Sequence, residues 1–102
     1  MIVLFDDGFE LQFANGLIIR VKIGEYSYCD NYGKKDLMNE VLLGYALECE
    51  NCEVSIINEF GYYITKEFGV AKNDTLGYIK TDDLAELILK VKNYKSEVKE
   101  NE

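Results

Sequence analysis

Histidine, proline and tryptophan are absent from this 102-residue chain, and these gaps narrow what it can be. Without histidine there is no imidazole to act as general base, to activate a serine or cysteine, or to ligate a metal. Without proline there is nothing to stiffen a linker or a polyproline segment. No apolar run approaches the roughly 20 residues that a membrane span needs. The eight glycines are dispersed at turns rather than gathered into a phosphate-binding loop. Carboxylates are plentiful, but none of their spacings marks a glycosidase-type acid–base pair. The expected protein is not an enzyme and needs no cofactor.

Positive charge is also scarce. Nineteen acids face eleven bases, a net charge of −8, which repels nucleic acid and anionic membrane surfaces. Neither direct nucleic-acid binding nor membrane contact is expected. Residues 90–102 hold four Lys and three Glu, so residues 1–89 carry sixteen acids against seven bases, a net of −9. Between Lys35 and Lys66 there is no base, while Asp36, Glu40, Glu48, Glu50, Glu53 and Glu59 all fall there. A solvated surface is the plain reading of such a stretch. The sharper one is an acidic face that competes for the basic groove of a partner that handles nucleic acid.

What is present reads mostly as sheet. Thirteen aromatics, eight Tyr and five Phe, accompany many Ile and Val. Residues 1–5 run into Asp6-Asp7 with no basic segment before them, the pattern of a first strand rather than a signal peptide. Phe9, Leu11 and Phe13 alternate with polar residues; after Ala14-Asn15-Gly16, Leu17, Ile19, Val21 and Ile23 alternate again. Asn-Gly between two such runs predicts a hairpin closed by a type I′ turn. Residues 24–29 extend that strand or open a loop, and residues 30–36 are polar and turn-rich. In residues 37–47, Leu37, Met38, Val41, Leu42 and Tyr45 fit a helical stripe, yet Gly44 interrupts it and the short apolar run suits a strand, which is the reading preferred. Residues 48–53 form an acidic connector. Residues 54–57 and 62–65 then predict a second hairpin about the turn at 58–61.

Asn73 to Tyr94 is the best-marked stretch, a turn leading into a helix. Thr81 is placed to cap it, Asp82 and Asp83 sit at the positive end of its dipole, and Leu84, Leu87, Ile88, Val91 and Tyr94 share one face. Residues 96–102 are expected to fray. Together these features predict a single domain, residues 1–102, of α+β class: an antiparallel sheet of four to six strands with one C-terminal helix packed on one face.

Cys49 and Cys52 have the C-x-x-C spacing of a zinc knuckle or a redox pair. Zinc needs four ligands, and the chain adds only Cys29. Acidic flanks also raise rather than lower a thiol pKa. Ordinary reduced thiols are therefore the leading reading, with metal binding at Cys49 and Cys52 the alternative. Tyr26, Tyr28 and Tyr32 border the polar loop, where tyrosines serve equally as interface anchors or core rim; Tyr78 and Tyr94 are assigned to the core. An exposed strand edge at residues 24–29 would let two copies pair as a homodimer.

Three motifs carry a resemblance: Phe13-Ala14-Asn15-Gly16, Tyr26-Ser27-Tyr28 before a glycine-containing loop, and Asn73-Asp74-x-x-Gly77-Tyr78-Ile79 leading to Asp82-Asp83-Leu84. This pattern resembles a loose group of small accessory proteins encoded by phages and prophages of Gram-positive bacteria. Their members carry an F-x-N-G hairpin, an S-Y-G loop, a short central strand and an N-D-V-I-G-Y-L turn before a helix. The match spans most of the chain, although residues 44–61 are longer than the group's pattern and Cys29 stands where it has Gly. No functional residue carries over. What the resemblance implies is a setting, the cytoplasm of a bacterial host, and a mode of action, stoichiometric protein binding, for which anti-CRISPR and other anti-defence inhibitors are prominent examples. The function expected is an anti-CRISPR protein that blocks nucleic-acid binding by a Cas nuclease, through Asp36, Glu40, Glu48, Glu50, Glu53 and Glu59 with Tyr28 and Tyr32 as anchors. The alternative is a phage structural or regulatory accessory protein that self-associates.

Overall fold

A computed structural model describes residues 1–95, so the expected fraying at 96–102 lies outside the described residues. The fold is α+β: five antiparallel strands and one main C-terminal helix. The strands are β1 (Ile2–Phe5), β2 (Gly8–Gln12), β3 (Ile18–Lys22), β4 (Asn51–Ile57) and β5 (Leu76–Lys80), paired in simple sequence order. Two helices complete it, a short α1 (Leu37–Leu42) and the longer α2 (Thr81–Lys92). No helix among the described residues is long and apolar enough to cross a membrane.

Register follows from the alternation. Leu11, Ile19 and Ile56 lie side by side across three strands, as do Phe9, Val21 and Val54. These side chains share the face that receives α2, where Leu17, Ile19, Val21, Cys52, Val54, Ile56 and Leu76 close on Leu87 and Val91. A 12-residue helix is marginal alone in water. Burying Leu87 and Val91 contributes about 3–6 kcal/mol by transfer alone, so the sheet, not local propensity, holds α2. The opposite face is polar: Arg20 donates to Glu10 at 3.0 and 3.1 Å, and Gln12 donates to the same carboxylate at 2.7 Å. The Gln12 amide first, and then the Arg20 guanidinium, keep the Glu10 carboxyl below its ordinary range although burial opposes them.

Several local expectations change. The turn between β2 and β3 is not type I′. Of its residues only Gly16 has positive φ, at 87°, and the Gly16 amide donates to the Phe13 carbonyl while the Phe13 amide donates to Leu17. That is a three-residue loop with glycine in the left-handed position. The type I′ geometry lies instead at Asn73 and Asp74, with φ of 52° and 62°, where Lys72 and Thr75 exchange both backbone bonds. The strand that follows, β5, had no sequence expectation. Thr81 is the first helical residue rather than the cap; Lys80 takes that place and makes no side-chain capping bond.

The predicted strand at 62–65 does not form. Residues 56–57 and 62–64 make only a short pairing, because Thr65 is buried and its hydroxyl takes the Ile56 amide, turning the chain into a 3-10 turn at Thr65–Glu67. The outer side of β4 is thus divided, with Asn51 to Val54 on β5 and Ile56 and Ile57 on residues 63–65. Residues 24–29 are a loop, not a strand, and the free edge belongs to β1.

Asn15 joins the hairpin to the helix. Its side-chain carbonyl accepts from the Leu17 amide at 3.0 Å, while its Nδ2 donates to the carbonyls of Val91, Lys92 and Tyr94 at 2.9, 3.2 and 3.2 Å. The Val91 carbonyl also accepts from the Tyr94 amide at 3.3 Å, so Asn15 adds a side-chain donor to a helix end whose last turn is only partly closed by backbone. Asn15→Ala should cost about 1–2 kcal/mol and lower the thermal midpoint by about 5–10 °C, read by thermal and urea unfolding. Asn15→Asp keeps the acceptor but sets a negative charge against the negative helix end, and should cost at least as much.

Candidate functional site

The acidic middle of the chain leaves β3 at Lys22 and returns at β4, so everything between is built outside the sheet. Its first part is the loop 23–33, which is tightly held. Asn31 is buried and its amide donates to the carbonyls of Ile23 and Glu48 at 2.8 and 2.9 Å. The Asp30 amide donates to the Asn51 side chain at 2.8 Å, and the Tyr28 amide to the Glu53 carboxylate at 3.1 Å. Gly77 makes room for this loop, because a β-carbon there would lie 2.8 Å from Cβ of Tyr28. Opposite Glu53 the β4–β5 register shifts, and Tyr78 sits at φ 56° with its amide donating to the Tyr28 carbonyl. A bulky residue in that region is strained. The bulge thus aims one β5 amide at the loop.

The second part, residues 36–47, holds the stretch 37–47 expected as a strand, which is instead a short helix over Leu37–Leu42 followed by a turn and irregular chain. Asp36 opens α1, its backbone carbonyl accepting the Glu40 amide and its carboxylate the Asn39 side chain. Gly44, at φ 93°, ends it: the Tyr45 amide donates to Glu40 and the Gly44 amide to Val41. Those two bonds make a Schellman motif. The glycine that argued against a helix is its stop signal. None of the α1 residues is buried. Leu42, Leu43 and Tyr45 are exposed at 81%, 76% and 67%, an apolar tip beside acids rather than a strand in the sheet.

The predicted residues are therefore only partly brought together. Asp36 and Glu40 lie on α1 and are exposed; Glu48 and Glu50 are exposed at the return. Glu48 and Glu50 line a depression of about 380 Å³ together with Asp30, Asn31, Lys34 and Cys49. Glu53 is turned inward to the Tyr28 amide. Glu59 lies beside Gly16 at the other end of β4, about 20 Å away by strand length, so the six acids do not share one face. Tyr28 is half-buried, its hydroxyl accepting from Asn73 at 2.9 Å, and its ring lies 6.1 Å from that of Tyr32, which is exposed. Tyr78 is exposed rather than core, whereas Tyr94 packs on Phe68 with ring centroids 5.1 Å apart. Asp30, Lys34 and the tip Leu42, Leu43 and Tyr45 were not singled out as site residues. The helical stripe through 37–45 was the signal for the tip.

The three thiols are free. Cys52 points into the core with its thiol on the Ile79 carbonyl at 3.4 Å, whereas Cys49 lies outside β4, 3.7 Å from the Asn51 side chain. Among the described residues no group of three or more His, Cys, Asp or Glu is placed to hold a metal ion, so the C-x-x-C pair gains no further donors. Comparison with protein-family profiles, with curated proteins and with solved structures finds no match to this chain.

Burial pushes the Cys29 thiol up to about 11, with the neighbouring Cys49 thiol adding to the rise, and pushes Cys52 up to about 11 as well. Both thiols are kept neutral by the fold, so the unfolded chain ionises first. Stability should therefore hold below pH 9 and fall as pH rises from about 9 to 11. At pH 8, iodoacetamide should label the native protein at Cys49 alone, and all three cysteines after denaturation, counted by intact mass.

Proposed function

We propose that this chain is a non-enzymatic inhibitor of phage origin that disarms a bacterial defence nuclease, most concretely an anti-CRISPR protein that docks on a Cas nuclease and occupies its nucleic-acid channel. The phage setting comes from the resemblance in the hairpin, loop and turn-helix motifs. The observation that carries the mode of action is the segment 36–50. Along the chain it interleaves three exposed apolar side chains, Leu42, Leu43 and Tyr45, with the exposed residues Asp36, Glu40, Glu48 and Glu50.

That combination suits a basic protein groove. Interfaces gain most of their strength from a few apolar or aromatic anchors, while opposite charge speeds encounter and excludes wrong partners. A stretch of thirty residues, 36–65, without a Lys or Arg presents one sign of charge to a channel built for phosphates. Glu53 and Glu59 leave the expected contact set, since one serves the Tyr28 loop and the other lies at the far end of β4. Tyr32 stays in it as an exposed ring beside the depression.

Two variants separate anchor from charge. Leu42→Ser with Tyr45→Ser should weaken binding to the target nuclease by about 10–100-fold, mainly through faster dissociation. The charge-neutral set Asp36→Asn, Glu40→Gln, Glu48→Gln and Glu50→Gln should slow association and flatten its salt dependence. Surface plasmon resonance against Cas nucleases, with DNA cleavage as readout, measures both. Unchanged inhibition by both variants would remove the channel-blocking mechanism.

A further inference from the structure

The sheet has two edges, and they are finished differently. On β5, Gly77 and Tyr78 form a bulge and the Tyr78 amide is committed to Tyr28. On β1 the strand is regular, and Ile2-Val3-Leu4-Phe5 contains no charge, proline or bulge, the devices that usually blunt an open edge.

The hydrogen-bond phase of that edge is fixed by its inner side. Met1 and Gln12 exchange both backbone bonds. Alternation along an antiparallel pair then gives Val3 and Phe5 the bonds to Glu10 and Gly8, and turns the N–H and C=O of Ile2 and Leu4 outward. The side chains of the same two residues, paired with Leu11 and Phe9, stand on the face that carries α2. They are 71% and 81% exposed, because α2 crosses the middle strands and does not reach β1.

We propose that β1 is a homodimer interface, in which two copies pair antiparallel, edge to edge, about a two-fold axis along the sheet normal at Val3. In this register Ile2 of each copy faces Leu4 of the other, all four outward backbone pairs are matched, and the four apolar side chains gather on the face between the two helices. A two-fold along the normal keeps the helix faces on one side, so only even register sums are allowed. The outward-pointing residues, 2 and 4, satisfy that sum with each other.

Charge favours a second copy here over a charged partner. The acids near β1 are Asp6, Asp7 and Glu10, and two of them are paired: Glu10 bonds Arg20 and Asp7 meets Lys22 at 3.6 Å. The acid-rich segment joins the sheet at the start of β4, three strand spacings or roughly 14 Å from β1. A chain of net charge −8 can therefore meet its copy at this edge with little repulsion. The area is small beside the roughly 1,600 Å² of a standard interface, so the dimer is reversible and its affinity lies in the micromolar range.

Sedimentation equilibrium from low micromolar to near-millimolar protein tests this, together with amide hydrogen exchange. The dimer fraction should rise with concentration, and exchange at Ile2 and Leu4 should slow in step. Ile2→Lys with Leu4→Lys changes two exposed side chains, so circular dichroism should show the fold intact while dimerisation weakens by about tenfold or more. A chain that stays monomeric throughout, or a dimer that survives the double substitution with unchanged affinity, would overturn the proposal. Nuclease binding by the segment 36–50 is read separately, so failure of either idea leaves the other standing.

Discussion

The arrangement of this domain turns on the side chain of Asn15. One amide group fixes the β2–β3 loop through the Leu17 amide and holds the last carbonyls of α2 through Nδ2. The two ends it joins are separated by more than seventy residues of chain. No glycine ends α2, and besides the backbone bonds of Asn93 and Tyr94 it is Asn15 that supplies a donor to its negative pole. With Asn15 in place, the apolar face of α2 is set at one angle over Ile19, Val21, Val54 and Ile56. The F-x-N-G motif thus serves tertiary docking as much as the turn.

Two different solutions close the other ends of the fold. On the polar face, Glu10, Gln12 and Arg20 form a small hydrogen-bonded group in which a buried carboxylate has all its partners. Among the described residues no buried side-chain nitrogen or oxygen lacks a hydrogen bond. Around β4, polar side chains stand in for missing strand neighbours: Thr65 takes the Ile56 amide and Asn51 and Glu53 take amides of the loop 28–30. The segment carrying the acids is therefore anchored at its base and free at its tip. That is a suitable division for a binding element held by a rigid sheet.

Much of this was legible in the residues. The alternation of Leu17, Ile19 and Val21 and the face of Leu84, Leu87, Ile88 and Val91 fixed β3 and α2, because burial on one side leaves a period in the sequence. The class, an antiparallel sheet of four to six strands with one C-terminal helix, followed. What failed did so for local reasons. Gly44 reads as an interruption until its neighbours reveal a helix stop, and a six-residue helix leaves too short a period to settle the matter. Tyr62-Tyr63-Ile64-Thr65 has strand composition, but the Thr65 hydroxyl competes for the Ile56 amide. β5 escaped notice because its bulge breaks the alternation at Gly77-Tyr78. Of the candidate site, the charge was readable and the geometry was not: a count of acids cannot tell that Glu59 lies at the opposite end of a strand from Glu50, or that Glu53 faces inward.

The bulge at Tyr78 has a consequence for growth. A sheet with two open edges can add copies at both, and the product is an open filament rather than a particle of fixed size. Here one border is irregular and the Tyr78 amide already engaged, while the other is the edge proposed to meet its own copy. Association by that pairing alone would close after a single addition. A strained tyrosine on the surface would thus set an upper limit on assembly, and it would do so without touching the proposed interface.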